Sequence, residues 1–252
     1  MTYCLSIRVQ DGLVALADGR VTSGSTIAAA RKIVLLGEGE NRFFMMTSGL
    51  RSVRDKALAY LRRRMAETPS GFTTMLAAAD NFAAILREVA REDKSALEDS
   101  NLVFNLHTLI GGQLRDDPHH TVFLVYPQGN WIEIDERSSF LSVGATAYGK
   151  PILDRALTFQ TDLSHALKLA YLSFDSTRFS STDVGYPIDI LTYEAATRTW
   201  REAQFQYEDL IEQRQWWNEH LTALAAQMPD APLSRHLLPS TPKRLSVVAE
   251  PD

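Results

Sequence analysis

TYCLSIRVQDGLVALADGR, residues 2–20, and KIVLLGEGENRFFMMTSG, residues 32–49, each read as two strands joined by a turn. In the first stretch the apolar runs Tyr3 to Val9 and Leu13 to Ala17 flank Gln10-Asp11-Gly12, and Asp-Gly is a strong hairpin signal. In the second, Lys32 to Leu36 and Arg42 to Thr47 flank the looser turn Gly37-Glu38-Gly39-Glu40-Asn41. With Asp11-Gly12 as the turn, cross-strand partners in the first hairpin have residue numbers summing to about twenty-three. Thr2 then faces Val21, with Asp18 and Arg20 on the strand end beside it. The same arithmetic sets Lys32 beside Met46 and Thr47, close to Ser48-Gly49. If the two hairpin ends align, Thr2, Asp18, Lys32 and the Gly49 N–H converge.

Outward from the hairpins, Leu50, Val53, Ala57, Leu61 and Met65 form one helical stripe, and Met75, Phe82, Ile85 and Val89 form a second. Strands resume at Leu109 to Gly112, Thr121 to Tyr126, Trp131 to Ile134 and Phe140 to Val143. A helical pair follows, Pro151 to Leu157 and then Leu163 to Phe174, with Thr161-Asp162 placed to cap the second. Ile188 to Tyr193 is a further strand. A long last helix over about 201–228 carries Tyr207, Ile211, Trp217, Leu221, Leu224 and Met228, a stripe suited to core or subunit contacts. Residues 229–252 are proline-rich and polar and read as a loose tail. The pattern is an α+β chain forming one domain over 1–228, with helices grouped between sets of antiparallel strands.

Composition narrows the class. The 252 residues are 45% hydrophobic and 23% charged, with a formal net charge of −5, an ordinary globular profile. One cysteine, Cys4, allows no internal disulfide and fits a reducing compartment. No apolar run approaches the ~20 residues that cross a bilayer, and Arg8 and Asp11 interrupt any signal-peptide core. The expected address is the cytoplasm. Arg62-Arg63-Arg64 reads as a solvated helix face, and no basic-aromatic stripe suggests nucleic acid.

The sequence lacks the Gly-x-Ser-x-Gly, His-Glu-x-x-His, P-loop and Gly-x-Gly-x-x-Gly patterns. His119-His120 reads as a solvated turn before a strand, so neither a metal nor another cofactor is expected. What remains is the chain start. Removal of Met1 before the small residue Thr2 would free an α-amine with a reference pKa of about 7.7–8.0, suited to a general base at neutral pH. One residue would then hold both nucleophile and base. An ammonium at Lys32 would favour the ionised hydroxyl, and a backbone N–H leading into a helix would suit an oxyanion.

Thr2 followed by a strand, then Ala17-Asp18-Gly19-Arg20, Lys32 and Thr47-Ser48-Gly49, resembles the opening of proteasome β-type subunits and of the bacterial two-ring protease of that superfamily. Ser142-Val143-Gly144 before a helix and Asp175-Ser176-Thr177 within a later one also fit. Thr2-Tyr3-Cys4, Tyr148-Gly149-Lys150-Pro151, Phe174-Asp175-Ser176-Thr177 and Gly185-Tyr186-Pro187-Ile188-Asp189 are similar to one bacterial subgroup, Anbu, the proposed ancestral β-subunit.

The resemblance implies a four-layer αββα sandwich of the N-terminal-nucleophile hydrolase type, hydrolysis of peptide or other amide bonds, and self-assembly into a ring or an open helix. It implies Thr2 as nucleophile, Asp18 and Lys32 as its activating pair and Gly49 as oxyanion donor. Arg20, Ser142 and Asp175 would support them, and Ser48 and Leu50 would flank the substrate pocket. The family usually carries a serine where Ala145 stands, so Ser142 or Thr146 would have to take its place. Two other readings share the fold: a self-assembling structural subunit with little activity, and an amidase for a small non-peptide amide. An unfoldase partner is not indicated either way.

Overall fold

The computed structural model describes residues 2–23, 26–68 and 71–229, apart from the side chains of 22–27. Two compact units divide the chain, Met1–Leu210 and Ile211–Asp252. In the first unit the elements run β1 (Tyr3–Val9), β2 (Gly12–Asp18), β3 (Arg20–Ser23), β4 (Thr26–Ala29), β5 (Ile33–Leu36), β6 (Phe43–Gly49), α1 (Arg51–Glu67) and α2 (Met75–Asp99). There follow β7 (Leu106–Gly112), β8 (Thr121–Val125), β9 (Trp131–Glu133), β10 (Phe140–Gly144), α3 (Lys150–Ala156), α4 (Leu163–Ser180), β11 (Ile188–Glu194) and β12 (Thr199–Phe205). The second unit contains α5 (Ile211–Gln227).

Two five-stranded sheets, ordered β10-β1-β2-β11-β12 and β5-β6-β7-β8-β9, are antiparallel throughout, and β3-β4 forms a small separate ribbon. Period-two alternation sorts their side chains into two faces. From β1 and β2, Leu5, Ile7, Leu16 and Val14 pack against Leu153, Leu169 and Phe174 of α3 and α4. The alternate residues Cys4, Leu13, Ala15 and Ala17 meet Ile33, Phe44, Met46 and Leu109 of the other sheet. Phe43, Met45, Ile110 and Phe123 then turn outward onto Val53, Leu61, Phe82 and Ile85 of α1 and α2. β1 and β2 are therefore covered on both sides, which is why both are buried along their whole length.

Capping follows the sequence signals. Thr74 Oγ1 accepts from Ala77 N at the start of α2, and Asp162 Oδ1 accepts from His165 N at the start of α4.

Four expectations change. The first hairpin turns at Gln10-Asp11 with Val9 paired to Gly12, so Tyr3 lies level with Asp18, and Thr2 is one step beyond; the sum of partners is two lower than expected. Gly12 belongs to the strand because Tyr193 of β11 crosses so close that a Cβ there would lie 1.8 Å from its carbonyl oxygen. Residues 201–205 belong to β12, an edge strand on β11, and the last helix begins at Ile211. Of the expected stripe, Tyr207, Ile211, Leu221, Leu224 and Met228 are exposed and Trp217 is half-buried. The small ribbon β3-β4 was not anticipated. Finally, His120 is buried, with its Nε2 bonded to the Val9 carbonyl oxygen at 2.8 Å, and only His119 is exposed. The tail expected over 229–252 lies outside the described residues from 230 onward.

Candidate active site

β1 and β2 end together, and Asp18, the last residue of β2, is completely buried there. Its Oδ1 accepts from Thr2 Oγ1 at 3.0 Å, from the Tyr3 backbone N–H at 2.8 Å and from Lys32 Nζ at 2.7 Å. The ammonium also donates to the Arg20 carbonyl oxygen at 2.7 Å. Thr2 and Lys32 are each only 8% exposed. Lys32 precedes β5, whose Ile33 pairs with Met46, so the register brings it level with Thr47. Three donors, two from adjacent residues at the start of β1 and one from Lys32, thus meet on one carboxylate oxygen. A buried ion pair needs this sort of additional hydrogen bonding to offset desolvation.

The Thr2 main chain is held from the other side. Its carbonyl oxygen accepts from Ala145 N at 2.8 Å, and a Cβ on Gly144 would lie 1.9 Å from that oxygen. Gly144 has φ +91, a conformation that glycine adopts without strain. The backbone at Ala145, rather than a hydroxyl side chain, is what reaches Thr2. Ser142 lies farther along β10, paired with Leu5.

The loop between α4 and β11 closes over Asp18. Gly185 N approaches Asp18 Oδ2 at 3.4 Å, and Gly19 N donates to Pro187 O. Arg20 Nη1 donates to Thr182 O at 2.7 Å, and a Cβ on Gly185 would lie 2.8 Å from Arg20 Nε. Asp175, in contrast, is paired with Arg178 on its own helix at 2.8 Å. These backbone contacts from Ala145, Thr182 and Gly185 were not singled out from sequence. Gly185-Tyr186-Pro187 had nonetheless stood out as a motif, and that was the available signal.

Gly49 ends β6 with φ +141, where a Cβ would lie 2.0 Å from Asn105 O. The next residue, Leu50, donates its N–H to Asn105 O and caps α1 without any side-chain bond. Gly49 therefore sits at a 17-residue helix's positive end.

Beside Lys32 opens a cleft of about 370 Å³, space at its mouth included, whose walls include Val34, Met45, Thr47 and Leu58. Val34, Met45 and Thr47 alternate onto one face of the sheet, which turns Ser48 onto the other, while Leu50 packs with the α1 and α2 core. Cys4 Sγ lies 3.7 Å from Thr47 O, and burial pushes its thiol up to about 12. Among the described residues no group of three or more His, Cys, Asp or Glu could hold a metal ion. No helix there is long and apolar enough to cross a membrane.

The sheet order and the convergence at the start of β1 define a chain of the proteasome β-subunit type. No protein-family model matches the sequence, and no curated protein is similar to it at the sequence level. Solved structures are. The helical assembly of the Anbu complex from Pseudomonas aeruginosa is 30% identical, with TM-score 0.85, over 92% of this chain and 99% of that one. Anbu from Yersinia bercovieri is 29% identical, with TM-score 0.83, over 92% and 99%. Anbu from Hyphomicrobium sp. strain MC1 is 29% identical, with TM-score 0.81, over 90% and 98%. The chain belongs to the Anbu (ancestral β-subunit) family.

Proposed function

We propose that this chain is an N-terminal-nucleophile amide hydrolase of the αββα sandwich type, in which Thr2, freed by removal of Met1, cleaves peptide bonds. The observation that carries this reading is the meeting of Thr2 Oγ1, Tyr3 N and Lys32 Nζ on Asp18 Oδ1. In the proposed cycle the α-amine of Thr2 takes the hydroxyl proton as Oγ1 attacks the substrate carbonyl carbon. The Lys32 ammonium, fixed by Asp18, stabilises negative charge on Oγ1. The Gly49 N–H, backed by the α1 dipole, receives the oxyanion. The tetrahedral species collapses, the leaving amine takes the proton, and an ester to Oγ1 remains. Water, deprotonated by the same amine, releases the acid and restores Thr2.

In this reading Arg20 supports the site by tying the loop at Thr182 to the carbonyl that Lys32 grips, whereas Ser142 and Asp175 have no direct part. The cleft beside Lys32 receives the side chain on the acyl side of the bond. Ser48 and Leu50 act as neighbours of Gly49. Copies of the chain assemble with one another, as the Pseudomonas aeruginosa relative does in its helical assembly, and the enzyme works in the cytoplasm. We expect the body to fold as one hydrolase domain with the α5 segment appended.

Intact mass of the purified protein, before and after a reporter peptide ester, tests the reading. Loss of Met1 followed by an acyl adduct that vanishes in Thr2→Ala supports it. Retention of Met1 in the native protein, or an adduct unaffected by Thr2→Ala, overturns it and leaves the self-assembling structural subunit as the better account.

A further inference from the structure

The cleft beside Lys32 has an unusual lining for a simple apolar pocket. Its depth is aliphatic: Met45 is 2% exposed, Leu58 is 9% exposed, and Val34 lies next to Lys32 in the same wall. Its rim is charged, carrying Arg31, Arg54 and Asp55. Asp55 receives Arg54 Nε at 2.8 Å and Arg54 Nη2 at 2.7 Å on Oδ1, while Arg51 Nε reaches Oδ2 at 3.4 Å. Although desolvation acts to raise it, hydrogen bonds from Arg54 and Arg51 hold Asp55 below the usual carboxylate range. Two guanidinium groups therefore share one carboxylate. Arg31 reaches across to Glu202 through Nη2 alone, and Lys32 is neutralised by Asp18. Among the described residues the rim keeps one cationic charge in excess, with guanidinium N–H groups beyond those used in these pairs.

We infer that the cleft selects a glutamate side chain on the acyl side of the cleaved bond. The methylene stem lies on Val34, Met45 and Leu58, and the carboxylate accepts from Arg54 and Arg31 at the rim. This rests on the proposed hydrolase reading for the identity of the reaction, but not for the binding itself. A leucine would fill the aliphatic depth and leave the rim as it is. A lysine would meet a rim that already holds one cationic charge in excess. Of these three, glutamate alone satisfies both zones, and charge-assisted bonds to a guanidinium are the stronger kind.

The test uses the full chain carrying Thr2→Ala, so that binding is read without turnover. Four acetyl-Ala-Ala-Xaa amides, with Xaa Glu, Gln, Leu or Lys, are titrated calorimetrically at pH 7 and low salt. The glutamate ligand is expected to bind about tenfold more tightly than the glutamine or leucine ligands, with lysine weakest. Arg54→Met should bring glutamate to the level of glutamine while leaving leucine unchanged, which also shows that the cleft remains folded. Arg31→Met should act in the same direction with a smaller effect. Leucine or lysine binding as tightly as glutamate, a glutamate preference that survives Arg54→Met, or no saturable binding of any ligand would each overturn the inference. Failure of Thr2 to acylate in the unsubstituted protein would sink the hydrolase reading alone and leave these affinities interpretable.

Discussion

At the scale of single residues, Asp18 Oδ1 accepts three donors from two segments, Thr2–Tyr3 and Lys32, at a fully buried carboxylate. Removing one partner strands the other charge in a dry site, which costs about 3–5 kcal/mol for a buried pair. Lys32→Met and Asp18→Asn are each expected to lower unfolding free energy by that order in denaturant titration, and the double variant to lose clearly less than the two together. Turnover by Lys32→Met should drop by about 10²–10³-fold, the scale of losing one electrostatic stabiliser. The neighbouring thiol makes a quieter statement. With its proton held to about 12 by burial, Cys4 should resist a thiol reagent at pH 8 until denaturant is added; stoichiometric reaction of the native protein would contradict the packing described.

His120 is one residue through which pH reaches the fold. Burial, aided by Arg8 and His119 and opposed by the Val9 hydrogen bond and Asp11, holds it below its ordinary value. The unfolded chain therefore binds this proton at higher pH than the folded one, and stability falls as pH drops from about 6.5 through the lowered value. Melting temperature is expected to decline between pH 7.5 and 5 in the parent and to decline less in His120→Asn. Equal slopes would assign the acid sensitivity elsewhere.

At the scale of elements, the turn from β10 into α3 grips Thr2 by its carbonyl. Gly144→Ala would drive a Cβ into that oxygen and should both destabilise the protein and slow turnover, whereas Ala145→Ser, which adds one hydroxyl at a buried position, should destabilise by only about 1 kcal/mol. Parallel melts and peptide assays on the two variants separate these outcomes.

Elements were also where sequence was most and least informative. The apolar run Tyr3 to Val9 and helical stripes such as Met75 to Val89 mark their elements because each supplies the apolar surface that its element buries. β12 escaped notice because it is an edge strand, largely exposed, with charged residues on it, and such strands lack the apolar alternation that reveals a half-buried one. The hairpin register differs because Asp-Gly is a local turn signal, while the close passage of β11, which commits Gly12 to the strand, is a tertiary fact. The convergence of Thr2, Asp18 and Lys32 was legible all the same, since it needs only that the hairpin ends align. Contacts made by backbone atoms of Ala145, Thr182 and Gly185 leave almost no mark on residue type, and the Asp175–Arg178 pair could not be told from a site carboxylate by spacing.

At the scale of the whole body, the layer between the sheets is what keeps the two hairpin ends in register. Phe44 lies in it fully buried, among Met46, Leu109 and Val122. Phe44→Ala should cost about 3–5 kcal/mol, measurable by urea titration, and should weaken turnover more than an equally destabilising change such as Leu86→Ala beneath α2. If both variants lose activity only in proportion to unfolded protein, the inter-sheet layer has no special part in aligning the site.

The position of β1 has a temporal side. It lies between β10 and β2, and β2 in turn lies against β11, so β1 is walled in by strands made later, near residues 140 and 188. At about 5–20 residues per second, synthesis leaves the first residues without those neighbours for roughly 10–40 s. On the proposed reading, that interval is when an aminopeptidase can trim Met1, before Thr2 is shut in at 8% exposure. Maturation would then be a race between trimming and closure, and a molecule that closes first would carry its methionine for life.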